Sequence, residues 1–236
     1  MLVEAMNPAE IATQVYREYS KIFYTTVQRL LNDYDRERRK LKIDKSRIYT
    51  KHYAIKTAGK NNWIIFIGKA PSKEKYKGIA CSNVCCMVYY YTSKGFRVFV
   101  PSSDKIFLVY NGHLFKRYNE RLNLNFANTL EAAIHYFTYN AYMHPHILEK
   151  NGKIYTIGFC KDGFLLGEVK HNNVWLEWKT FVSRNLARAD QDEMEKELID
   201  QLHNFMETEI KNENSDPVKL KIMQDKIKGI TGAYIQ

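Results

Sequence analysis

The sequence predicts an α+β protein: antiparallel sheet with a long N-terminal helix, a central helical pair and C-terminal helices. Three observations carry this. An apolar spacing of mostly three or four residues runs through Ile11, Val15, Tyr19, Ile22, Val27, Leu30 and Tyr34. Five runs rich in Tyr, Ile, Val and Phe then follow one another within about 65 residues, and a second β-rich stretch covers 146–183. Strands and helices are segregated, without the βαβα alternation of a nucleotide-binding fold. Neither a Walker A nor a GxGxxG pattern occurs, so no cofactor is expected.

The elements follow in order. Asn7 followed by Pro8 is a helix start, a capping side chain and then proline at the first helical position. The helix it opens extends to about Lys40 and ends in the basic cluster "DRERRKLK". Strands are expected in "RIYTKHYAIKT", "NWIIFIGK", "IACSNVCCMVYYYT", "FRVFVP" and "KIFLVY", with turns at "AGKNN", "APSKEKYKG" and "SKG". Short connections make an antiparallel meander of them. Helices follow in "NGHLFKRYNERL" and "FANTLEAAIHYFTYNAY", and then four strands joined at "NG", "KDG" and "HNN". The acidic tail reads as helical from about Leu186, with a last short helix ending at Gly229. The expected units are 1–104, 105–185 and 186–236, or one compact body.

Of the 236 residues, 45% are apolar, enough for a real core. The start "MLVEAMNPAE" lacks the basic region of a secretory signal, and no apolar run approaches the ~20 residues that span a bilayer. A cytoplasmic protein with no membrane partner and reduced thiols is expected. Cys85 and Cys86 share a strand and should point to opposite faces, which argues against a shared metal.

Charge is uneven. Residues 1–185 carry 29 Lys and Arg against 15 Asp and Glu, a net +14, and residues 186–236 carry 7 against 11, a net −4. A basic body with an acidic tail suits a nucleic-acid partner, or a body that docks its own tail.

His113, Arg117 and Arg121 stand four residues apart just after a strand, so on a helix they share a face. The Asn111-Gly112 turn puts His113 near the helix N-terminus, where the dipole favours neutral imidazole, the starting state of a general base. Arg117 and Arg121 can present guanidinium forks to a phosphate. RNA brings its own nucleophile, the 2′-hydroxyl, so a base, an acid and a charge stabiliser suffice for cleavage without metal. Lys179, Thr180, Ser183 and Arg184 at a strand end could hold phosphate oxygens, and Tyr118 could contact a base.

The run "GHLFKRYNERLNL" followed by a β-meander ending in "KTFVS" resembles the barnase, colicin and RelE-like ribonuclease group of small bacterial proteins, known as toxins and as elements of mobile DNA. The resemblance covers about residues 105–190. It implies an N-terminal helical layer on an antiparallel sheet, His113 as acid/base, Arg117 and Arg121 as phosphate ligands, and Thr180 as a sheet-borne contact. It also implies RNA as substrate and a protein inhibitor or antitoxin as partner. About 100 β-rich residues precede the motif without counterpart in the minimal toxins.

Other readings stay open. Glu120 could pair with Lys116 or Arg117 and make the helix structural, or the two arginines could pair with the acidic tail. The basic surface could bind nucleic acid without catalysis, as in a structural protein of a bacterial mobile element. His135, His144 and His146 in "HYFTYNAYMHPH" could ligate a metal, although no carboxylate sits at ligand spacing there.

Overall fold

The computed structural model describes residues 1–40, 49–69, 82–101, 106–140, 144–150, 153–171 and 175–186. The tail helices expected beyond Leu186, Cys81, and any pairing of tail carboxylates with Arg117 or Arg121 lie outside the described residues.

The N-terminal helix forms as its pattern dictates, with one irregularity. α1 spans Pro8–Lys21, a π-helical segment covers Ile22–Val27, and α2 spans Gln28–Lys40. Asn7 and Glu10 form a reciprocal cap: each side chain accepts from the other's backbone N–H, at 3.0 and 2.8 Å. The π segment answers a sequence feature. Ile22 and Val27 are five residues apart, and both are buried. An α-helix would swing Val27 well off the buried face, whereas the wider π turn keeps it in register with Leu30 and Tyr34.

Among the described residues nine strands form one sheet: β1 Tyr49–Lys56, β2 Asn62–Lys69, β3 Ser82–Thr92, β4 Gly95–Pro101, β5 Phe107–Asn111, β6 His144–Lys150, β7 Lys153–Cys160, β8 Gly163–Lys170 and β9 Trp175–Ser183. The order is β1-β2-β3-β4-β5-β9-β8-β7-β6. The sheet is thus two antiparallel meanders joined where β5 runs parallel to β9, with Phe107 opposite Trp175 and Tyr110 opposite Trp178. Position 104/105 falls in the connection between β4 and β5, which pair with each other, so the sheet is continuous there.

Between β5 and β6 the chain forms α3 (Gly112–Arg121) and α4 (Thr129–Tyr139), capped by the side chains of Asn111 and Asn128. These helices cover one face of the sheet. Leu114, Phe115, Tyr118, Ala133, Tyr136 and Phe137 pack on Ile64, Phe66, Val98, Tyr110, Trp178 and Phe181. α1 and α2 cover the other face, where Ile11, Val15, Leu30 and Tyr34 meet Trp63, Ile65, Ile67, Val88, Phe99 and Val109.

The resulting three layers explain the continuous run "WIIFI" in β2: with both faces covered, every position is buried. Cys85 and Cys86 do point to opposite faces, one toward each core. No helix among the described residues is long and apolar enough to cross a membrane.

Candidate functional site: the α3 face and its surroundings

Asn111 ends β5 and caps α3, its side chain accepting from the Leu114 N–H at 3.1 Å. Gly112 lets that turn sit against β4, since a Cβ there would meet Phe96 backbone and side-chain atoms at 3.2–3.4 Å. His113 and Arg117 emerge together on the exposed side of the helix. Arg117 Nε donates to His113 Nε2 at 3.4 Å, and Arg117 Nη1 lies 3.3 Å from Glu120 Oε2. Lys116 approaches the other Glu120 oxygen at 4.0 Å. Glu120 therefore serves both cations, as the helix spacing allows, and the side chains remain 43–71% exposed.

Arg121 departs from this group. Its Nη1 donates to the Phe181 carbonyl of β9, so it bolts α3 to the sheet rather than facing solvent beside Arg117.

Tyr118 cannot be a base contact. It is fully buried, with its ring edge-on to Phe181 and Tyr136 and its hydroxyl committed inside.

The β9 residues do not gather beside His113. Phe181 packs toward α3, and Thr180, its neighbour, pairs with Leu166 on the opposite sheet face. A bulge opposite Leu166/Gly167 makes Lys179 the extra residue, and its ammonium pairs with Glu168 at 2.5 Å. Ser183 is buried, 2.6 Å from Asn185 Oδ1. Arg184 donates to the carbonyls of Lys161 and Cys160, at 3.0 and 3.2 Å. The phosphate-holding cluster expected of Lys179, Thr180, Ser183 and Arg184 is thus not assembled: bulge, burial and backbone bonds disperse it.

A different polar cluster forms beneath α3 and α4. The Tyr118 hydroxyl donates to Asp162 Oδ2 at 2.8 Å and stands 3.0 Å from His135 Nδ1. Asn140 donates to the same Asp162 oxygen at 2.8 Å and accepts from the Asp162 N–H at 3.0 Å. Burial pushes the Tyr118 phenol far up, with the Asp162 charge adding to it, so the hydroxyl keeps its proton. Burial also holds His135 below its ordinary range, with Asp162 opposing that shift.

Nothing local in the sequence marks this cluster, because its members are 17, 22 and 44 residues apart. The Asp162-Gly163 pair reads only as a hairpin turn.

For the metal reading, His144 and His146 belong to the edge strand β6, and their side chains lie outside the described residues. Among the described residues no group of three His, Cys, Asp or Glu side chains could hold a metal ion. Burial raises Cys85 and Cys160 to about 12, which keeps both as neutral thiols rather than nucleophiles. No protein-family model, curated protein or solved structure matches the chain.

Proposed function

We propose that the protein acts on RNA and cleaves it without a metal, with the exposed edge of α3 as the site. One observation carries the reading: His113 and Arg117 stand side by side in solvent, joined through His113 Nε2. An arginine N–H donating to that atom requires a neutral imidazole, its lone pair engaged by the guanidinium. An arriving phosphate is a stronger acceptor than imidazole. It would draw Arg117 away and free Nε2 beside itself. His113 then takes the proton of the 2′-hydroxyl, the 2′-oxygen bonds to phosphorus, and the P–O5′ bond breaks, with water protonating the 5′-oxygen. The net charge of +10 favours the encounter.

Arg121 takes no part in this, being held on the Phe181 carbonyl. That observation favours a second reading, nucleic-acid binding without catalysis. Lys116 and Arg117 would then serve as phosphate contacts, and His113 would be dispensable.

Cleavage of a labelled mixed RNA in excess EDTA, beside His113→Ala, separates the two. Activity that survives EDTA and is lost in the variant supports cleavage. A wild type that binds RNA in a salt-dependent way without cutting it leaves binding alone.

A further inference from the structure

His135 is held in a way its packing does not require. The Tyr118 hydroxyl has one hydrogen, and the Asp162 carboxylate beside it can only accept. That hydrogen therefore goes to Asp162, and the contact with His135 must run the other way, from Nδ1–H to the phenol oxygen. Asn140 completes the oxygen's shell with a longer contact of 3.4 Å. The imidazole is fixed as the Nδ1–H tautomer, and Nε2 carries a lone pair. Among the described residues no group donates to Nε2. Burial, by disfavouring the imidazolium, keeps that lone pair available at neutral pH.

Aromatic rings flank this acceptor. Tyr139, one helical turn along α4, lies 4.5 Å from the His135 ring between centroids and is 55% exposed. Phe126 lies 5.0 Å away on another side and is half-buried. Both backbone polar groups of Phe126 are pinned by the Asn119 side chain, at 3.0 and 3.1 Å, so its ring is preset rather than loose. Half-exposed aromatic rings around one oriented acceptor form the surface that takes a flat ring with an N–H edge.

We infer that Phe126, His135 and Tyr139 form a subsite for one unpaired nucleobase of RNA, stacked on Tyr139 with His135 Nε2 accepting from the base's N–H edge. The inference rests on the RNA reading above and assigns it a base contact. Tyr118 and Asp162 are positioning residues here: they never touch the base, and they set which nitrogen of His135 faces it. Arg184, bonded to the Cys160 and Lys161 carbonyls, places positive charge beside the Asp162 turn, suited to a flanking phosphate.

The full chain is tested with two fluorescein-labelled single-stranded probes, a mixed-sequence RNA 12-mer and an abasic 12-mer of the same backbone. Stacking on one ring predicts about tenfold tighter binding of the base-bearing probe. Tyr139→Ala and His135→Ala should abolish that preference while keeping the salt-dependent residue of affinity. Lys116→Ala should weaken both probes alike.

Equal wild-type affinity for the two probes overturns the inference, as does a preference that survives Tyr139→Ala. A wild type that binds neither overturns it together with the RNA reading. A preference present in a protein that does not cut RNA supports the subsite and sinks only the cleavage. Nitrogen NMR of labelled histidine adds a readout that packing alone would not move. The Nδ1–H form is expected, with Tyr118→Phe relaxing it toward a mixture, and an Nε2–H form in the wild type overturns the acceptor role.

Discussion

The indole of Trp63 donates to Glu18 Oε2 at 2.8 Å, tying the last turn of α1 to the buried strand β2. The same carboxylate accepts from Thr57 Oγ1 and Asn61 Nδ2, each at 2.9 Å. Asn61 cannot turn its amide to suit a different partner, because its oxygen already accepts from the Leu2 N–H at 2.6 Å. One acceptor-only side chain thus satisfies three donors from the β1–β2 hairpin.

Glu18→Gln tests this directly. Glutamine keeps one oxygen and turns an NH2 group toward one of the donors, leaving a buried N–H without a partner. The expected loss is about 1–3 kcal/mol, and Glu18→Ala should cost more because the Trp63 indole is also orphaned. Urea denaturation reads both values. A Gln variant as stable as the wild type would mean that the three bonds do not form together.

Two glycines should respond very differently to alanine. A Cβ on Gly167 would lie 2.3 Å from the Glu177 carbonyl, a backbone atom of the paired strand at the bulge. Gly95 has nothing within 4 Å and only an unfavourable φ of +105°. Gly167→Ala should therefore cost about 3 kcal/mol, with β8 and β9 forced apart, and Gly95→Ala about 1 kcal/mol of backbone strain. The difference between their unfolding midpoints is the measurement, and equal losses would contradict the close approach at the bulge.

The long N-terminal helix was legible because its signals are local: Asn7-Pro8 at the start, and apolar positions that repeat along one face. Even the π segment leaves a trace, the five-residue step from Ile22 to Val27. The strands were legible for the same reason. The parallel pairing of β5 with β9 was not, since it joins residues about 70 apart and is chosen by how two meanders pack. The faces of Lys179 and Thr180 were not legible either, since the bulge adds one residue there and reverses which face the following side chains occupy. Only the helical register of His113 and Arg117 lay within reach of spacing. The Tyr118–Asp162–His135 contacts needed the whole fold.

Stability should fall as pH is lowered from 7 to 5. Burial depresses both His135 and His52, the latter with Lys51 adding to the effect. Their folded values lie below the unfolded value of about 6.5. Between the two values the unfolded chain binds more protons, so acid favours unfolding. The contribution is complete above about pH 6.5 and is lost as pH falls through the folded values. Urea midpoints across this range should decline for the wild type and flatten in part for His52→Gln. A midpoint that rises toward pH 5 would reverse the sign assigned to both imidazoles.

Arg117 offers the sharpest division between structure and function on α3. Its contacts are a 3.4 Å hydrogen bond to His113 and a 3.3 Å ion pair with Glu120, both on the solvent side. Exposed pairs of this kind contribute about 0–1 kcal/mol, so Arg117→Ala should barely move the unfolding midpoint. If the side chain grips phosphate, the same variant should weaken RNA binding and reduce the slope of log affinity against log salt by about one unit. Arg121→Ala should behave in the opposite way. Losing its bond to the Phe181 carbonyl should lower stability by about 1–3 kcal/mol and leave the salt slope nearly unchanged. Measuring stability and salt slope on both variants assigns each arginine its role. An Arg117 variant that is markedly unstable but binds RNA normally would make the exposed edge of α3 a structural feature alone.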